Sequence, residues 1–219
     1  MAFYRWVRAL AAPNSVVLNL GAGPATKQTV RILKGEVARL IGVDVDPCVL
    51  ENPELDEAYV YEPPAPLPFS QSTFDLAFSD FVLEHIADPL VFLREVRRVL
   101  KPGASYFFRT PNRFHYVGLA ASATPHRLHR LIANRARGLA KEVHEPWPTY
   151  FRMNSRRRLR RLANVAAFSA IELTMYEPDP SYLVFHPLPF VAGVAYERLV
   201  NRFEVLAGMR GNIFGRFIR

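Results

Sequence analysis

The segment that most constrains this chain is a short apolar run that ends in glycine. Ser15-Val-Val-Leu-Asn-Leu20 reads as a buried strand, and Gly21-Ala22-Gly23-Pro24 stops it abruptly. Thr26 to Leu33 then reads as a helix, and Val37 to Val43 as a second apolar strand that ends at Asp44. Glycine at a strand's end lets the backbone turn sharply and lets a bound molecule approach the amides closely. A carboxylate at the tip of the next strand can accept both hydroxyls of a ribose. The glycine pair, the strand before it and the acid beyond it are informative together, whereas glycines alone are not.

The pattern continues as strands alternating with helices. Phe74-Asp-Leu-Ala-Phe-Ser79 is a strand, and Asp88-Pro89 opens a helix with an acidic cap and proline at its first position. Its apolar face is Leu90, Phe92, Leu93, Val96, Val99 and Leu100, and Lys101-Pro102-Gly103 ends it. Ser105 to Thr110 is the next strand, closed by Pro111-Asn112. The stretch from Cys48 to Glu62 leaves little room for a full crossover helix. Alternation of this kind predicts a parallel, doubly wound sheet with right-handed crossovers. Ala2 to Ala11 reads as a short amphipathic helix ahead of it.

After Asn112 the rhythm breaks. Residues 113–153, rich in Arg, His and Pro, read as an inserted basic lid. Asn154-Ser155 caps a helix to Ala167, and Ala170–Tyr176 and Gly211–Ile218 read as the last two strands. A helical insertion from Pro189 to Phe203 stands between those strands, its apolar residues expected chiefly to cover the core. The chain is long enough for one full core, so residues 1–219 are expected to form a single domain. Residues 12–112 would be its cofactor-binding half and 113–219 its substrate-side half.

Charge divides along the same line. Residues 1–112 carry a balance of −2 and residues 113–219 a balance of +10, which points to an anionic ligand or surface on the second half. One cysteine, Cys48, excludes an intrachain disulfide, and no secretory signal or membrane-spanning run is legible, so the expected location is the cytoplasm. Asn154-Ser-Arg-Arg-Arg-Leu-Arg-Arg-Leu162 holds five arginines, whose forks suit phosphate or carboxylate. No RNA-binding motif accompanies them, which argues against nucleic acid, although an RNA substrate stays an alternative. His126 and His129 lack a third ligand, so no metal site is expected.

A ribose-binding strand–loop–helix–strand serves a nicotinamide dinucleotide as well as S-adenosylmethionine. Two features weigh against the dinucleotide: Thr26 occupies the third glycine position of G-x-G-x-x-G, and there is little room for a second mononucleotide half. Seven short blocks carry a family resemblance: Val17 to Gly23, Ile41-Gly-Val-Asp-Val-Asp46, Leu67-Pro-Phe69, Phe74-Asp75, Phe81-Val-Leu-Glu-His85, Arg94 to Gly103 and Thr110-Pro-Asn112. In this order they resemble class I S-adenosylmethionine-dependent methyltransferases of the UbiE, or methyltransferase 11, type. The resemblance covers about residues 15–112. It implies a Rossmann-like α/β fold with a doubly wound seven-stranded sheet, and S-adenosyl-L-methionine as cofactor. It implies that Asn19, Leu20, Gly21, Ala22 and Gly23 line the methionine side, and that Asp44, with Val45 beside it, holds the ribose. Glu62 and Leu67 would flank adenine, and Ser79, Asp80 and Phe81 would lie near the reactive methyl.

Three departures stand out. Asn19 replaces the usual Asp, Ala25 a third glycine, and Glu62-Pro63 an Asp that meets the adenine amine. Asparagine is uncharged and pulls less strongly on an ammonium group, which keeps open a weakly binding scaffold protein as an alternative. An oxygen acceptor usually needs its proton removed, and His85, at the active-site edge, is the candidate base. His115 and Tyr116 follow the fifth strand at the same rim. The second half also looks, more loosely, like bacterial methyltransferases of glycan pathways. That suggests a small-molecule, sugar or lipid-linked hydroxyl as acceptor, with peripheral membrane contact through the 187–203 insertion as a further role.

Overall fold

The computed structural model describes residues 2–116, 147–178, 180, 183–184 and 186–219. Seven strands form one sheet: β1 (Val16–Leu20), β2 (Arg39–Asp44), β3 (Glu57–Val60), β4 (Phe74–Asp80), β5 (Leu100–Pro111), β6 (Ala170–Tyr176) and β7 (Asn212–Ile218). Their spatial order is β3-β2-β1-β4-β5-β7-β6. The first five run parallel, and β7 lies antiparallel between β5 and β6. The expected α/β, seven-stranded architecture is therefore present. From β1 the chain leaves toward β2 on one side and later returns to β4 on the other. Such a switch point opens a crevice at the carboxyl ends of the strands, where open α/β sheets bind ligands.

The sheet is buried on both faces, and alternation along each strand assigns the side chains. Leu18 and Leu20 of β1 join a core with Phe92, Leu93, Val96 and Val99 of helix α2 (Pro89–Val99) and Leu159 and Leu162 of α3 (Arg156–Val165). Val17, Leu76, Phe78 and Phe107 face the other way, onto Phe3, Tyr4 and Val7 of α1 (Ala2–Arg8). Phe3 is fully buried, and burial of such a ring is worth roughly 2–3 kcal/mol. That ties the N-terminal helix to the sheet. The Asp88 side chain accepts from the amides of Leu90 and Val91, and the Ser155 side chain from that of Arg158, as the sequence suggested for both caps.

Two expectations are corrected. Thr26 to Leu33 is not a helix; only a 3-10 turn at Thr29–Arg31 forms there. Glu54 takes the Thr26 and Lys27 amides and the Thr26 hydroxyl, and Lys27 sits at φ 54. The Arg8 guanidinium from α1 takes the carbonyls of Thr29, Val30 and Ile32. Lys27 in the left-handed region breaks the helical path, the distant Glu54 and Arg8 side chains hold the segment in another one, and β-branched Thr26, Thr29 and Val30 favour a helix only weakly.

The second correction concerns the insertion, which is helix α4 (Pro187–Arg202). It does not mainly cover the core. Its buried residues are Gly193 and Val200, while Leu188, Val191 and Leu199 are exposed. Most of the expected lid, with His126 and His129, lies outside the described residues.

Candidate active site

The glycine loop follows from β1 directly. Gly21 adopts φ 72, and a Cβ placed there would stand 2.3 Å from Val82 Cγ2. Only glycine satisfies both the turn and that approach. The Gly21 and Ala22 amides donate to the Val43 carbonyl, closing the loop over the end of β2. Asp44 lies at that end. Its Oδ2 accepts the Gly23 amide at 2.8 Å and its Oδ1 the Asp46 amide at 2.9 Å. Each carboxylate oxygen has two acceptor sites, so both keep capacity for a hydroxyl. A Cβ on Gly23 would meet only the Asp44 carboxylate, at 4.0 Å. The cradle is open toward that acid, and its carboxylate acceptors fit the hydroxyls of a ribose. Val45, next to Asp44, is exposed, and Leu20 is buried beneath the loop.

Residues outside the motif hold the loop. Asn52 donates from Nδ2 to the Gly23 carbonyl at 2.9 Å, and its Oδ1 accepts the Glu54 amide at 2.9 Å. Nothing in the spelling of Asn52-Pro53-Glu54 links it to a loop about thirty residues earlier, so this support was invisible in the sequence.

Of the positions expected near adenine, Glu62 is exposed beyond β3. Leu67 is 3% exposed, packed in the core, with its amide donating to Glu95. At the tip of β4, Ser79 is fully buried and shares a 2.6 Å hydrogen bond with the Tyr106 hydroxyl. Asp80 accepts two 2.6 Å hydrogen bonds from Arg109 and a third, at 3.0 Å, from the Tyr4 hydroxyl. Burial and the Asp80 charge push the Tyr4 phenol well above its ordinary range. Phe81 takes φ 58, and its ring lies 4.4 Å from the Arg109 guanidinium carbon.

A pocket beside the loop is lined by Asn19, Gly21 and Ala22 from the motif and by Tyr4, Arg31 and Asp80 from elsewhere. The fold therefore brings Asn19 and Asp80, 61 positions apart, to one wall. The α1 and 3-10 contributions, Tyr4 and Arg31, were not anticipated from the sequence.

His85 ends the turn Leu83–His85, with Nδ1 2.9 Å from the Pro148 carbonyl. A carbonyl only accepts, so Nδ1 carries the proton and Nε2 the lone pair. Its neighbour Glu84 is buried, which pushes its carboxyl above its ordinary 4.5. Glu84 accepts the Thr110 hydroxyl at 3.1 Å, and Asn154 donates to the same hydroxyl at 2.6 Å. The Glu84 carbonyl also takes the amides of Tyr150 and Phe151. Glu84 thus fastens β5 and the 147–154 segment to the β4 turn.

His115 is buried beyond β5, its Nε2 3.1 Å from Glu177 Oε1, and its ring lies 4.2 Å from that of Tyr116. The arginines of α3 point outward, apart from half-buried Arg156. Among the described residues, no group of three or more His, Cys, Asp or Glu is placed to hold a metal, and no helix is long and apolar enough to cross a membrane.

Residues 18–108 match the model of a family described as a methyltransferase domain. A 37.1 kDa transposon-encoded protein of Streptomyces fradiae is 31% identical over 115 residues, covering 47% of this chain and 32% of that protein. The chain thus spans about a third of that relative. Among solved structures, an S-adenosylmethionine dependent methyltransferase from Mesorhizobium loti superposes with TM-score 0.60 at 16% identity, covering 100% of this chain and 98% of that one. Phosphoethanolamine N-methyltransferase 2 of Haemonchus contortus, in complex with S-adenosyl-L-methionine, gives TM-score 0.56 at 16% identity over 97% and 51%. These structural likenesses are of fold.

Proposed function

We propose that this protein transfers a methyl group from S-adenosyl-L-methionine to a small-molecule or glycan- or lipid-linked acceptor, at oxygen; the match of residues 18–108 to a methyltransferase domain supports the reading. The observation that carries the reading is the cradle at the switch point. The Gly21–Gly23 loop opens onto Asp44, whose two oxygens are each fixed by one amide and each retain acceptor capacity. When bound, the cofactor supplies a methyl group activated on a sulfonium sulfur. The protein's part is to hold acceptor and methyl in line and close together. Asp44 would hold the ribose, and Asn19 and the loop amides the methionine end.

For an oxygen acceptor a proton must leave, and two imidazoles at the carboxyl edge offer a lone pair. His85 offers Nε2, because Nδ1 donates to Pro148. His115 offers Nδ1, because Nε2 is held by Glu177. His85 is our choice of base because it follows β4 directly, beside Asp80 and Phe81. The balance of +10 over residues 113–219 supports an anionic or phosphate-bearing acceptor. Calorimetric titration with S-adenosylhomocysteine, with NAD as control, tests the cofactor. Micromolar binding of the first alone is expected. Binding of neither would favour the scaffold reading, and binding of NAD alone would overturn the assignment.

A further inference from the structure

Of the arginines among the described residues whose Nε is buried without a hydrogen-bond partner, Arg31 and Arg156, it is Arg31 that lines the pocket beside the glycine loop. Its side chain is only 26% exposed, and its Nε is buried with no hydrogen-bond partner among the described residues. The contacts its guanidinium makes are loose ones. Nη1 is 4.0 Å from Asp80 Oδ2, and the guanidinium carbon is 5.9 Å from the Tyr4 ring centroid. Asp80 does not need it, since that carboxylate already takes two short bonds from Arg109 and one from Tyr4. The remaining acid of the pocket, Glu54, is engaged by the Thr26 and Lys27 amides and the Thr26 hydroxyl.

Guanidinium groups carry five N–H donors in a fixed fork, and buried donors are ordinarily satisfied. Here a fork with no hydrogen-bonded partner lines the same pocket wall as Asn19, Gly21 and Ala22. The ligand it calls for is a planar anion with two oxygens.

We propose that Arg31 binds the α-carboxylate of the cofactor's methionine moiety. The proposal rests on the cofactor reading above and assigns that moiety a specific partner. It also accounts for Asn19. A neutral side chain there grips the ammonium end of an α-amino acid less firmly, and Arg31 grips the carboxylate end instead. The device depends on the irregular 26–33 segment, because the chain that replaces a helix carries Arg31 into the pocket wall.

Two ligands differing only in the carboxylate test it: S-adenosylhomocysteine and its decarboxylated form, S-adenosyl-3-thiopropylamine. Calorimetry on the wild-type protein is expected to show S-adenosylhomocysteine binding at least about tenfold more tightly, as a charge-assisted pair requires. In Arg31→Gln that preference should vanish through weaker binding of S-adenosylhomocysteine, with the amine's affinity within about twofold of wild type. Equal affinity of both ligands for the wild-type protein, which requires no variant, would overturn the proposal. So would a preference that survives Arg31→Gln, or an equal loss of both ligands in the variant, which would make Arg31 a support of the loop. Failure of the wild-type protein to bind either ligand would be a different result, removing the cofactor reading itself.

Discussion

Tyr4 and Asp80 lie 76 positions apart, yet the Tyr4 hydroxyl donates to the Asp80 carboxylate at 3.0 Å while Arg109 closes on both oxygens from the neighbouring strand. One acid therefore joins α1, β4 and β5 at the site's edge. Removing Arg109 would leave that charge buried, a loss of about 3–5 kcal/mol. Arg109→Ala is expected to lower the urea midpoint strongly, and Arg109→Ala with Asp80→Asn to recover a large part of the loss. A double variant no more stable than the single one would show that Asp80 is not the reason Arg109 matters.

Asp44→Ala removes two acceptors that hold the loop and face the cradle. S-adenosylhomocysteine affinity should fall by about two orders of magnitude, corresponding to roughly 3 kcal/mol for hydrogen bonds to a charged group. Calorimetry reads this directly, and unchanged affinity would place the ribose elsewhere.

Glu84 supplies a pH signature. Its carboxyl titrates above its ordinary 4.5, because burial disfavours the charge. A native group that holds its proton more tightly than the unfolded chain contributes stability below about 4.5, and that contribution is lost as pH rises through the native value. Glu84→Gln removes this titration. Relative to the variant, the wild-type protein should lose unfolding free energy between pH 4 and pH 8, and urea titrations at several pH values measure the difference. A pH-independent difference would mean that Glu84 ionises without penalty.

Gly215 of β7 faces the Phe108 ring, and a Cβ there would lie 2.0 Å from Cζ. Phe108 is fully buried against Tyr106 and Phe217. Gly215→Ala should therefore cost about 1–3 kcal/mol through overpacking, read as a lower thermal midpoint. A gain in stability would show that the ring has room to move.

Much of the fold was legible because its signals are local. The apolar runs in 16–20 and 74–79, the Asp88-Pro89 cap and the glycine pair depend on residues a few positions apart, and Ala170–Tyr176 was recovered to its ends. The acid at the tip of the second strand was legible for the same reason, since Gly21 and Asp44 are separated by a single strand–turn–strand unit.

What only the tertiary structure decided turns on captures by distant side chains. Thr26 to Leu33 has the spacing of a helix, but Glu54 and Arg8 take its backbone groups, and no local pattern announces a competitor from another element. The exposed apolar residues of α4 likewise depend on how the helix docks, which periodicity does not specify. The partners of Asp80, the support of Gly23 by Asn52 and the approach of Arg31 to Asp80 are all contacts between remote segments. The sequence by itself determined that Asp44 stands beside the glycine loop, because that geometry is built from neighbouring strands. Which acids and bases pair most closely, as Arg109 does with Asp80 while Arg31 stays 4.0 Å away, is decided only when the chain is folded, because those partners come from remote segments.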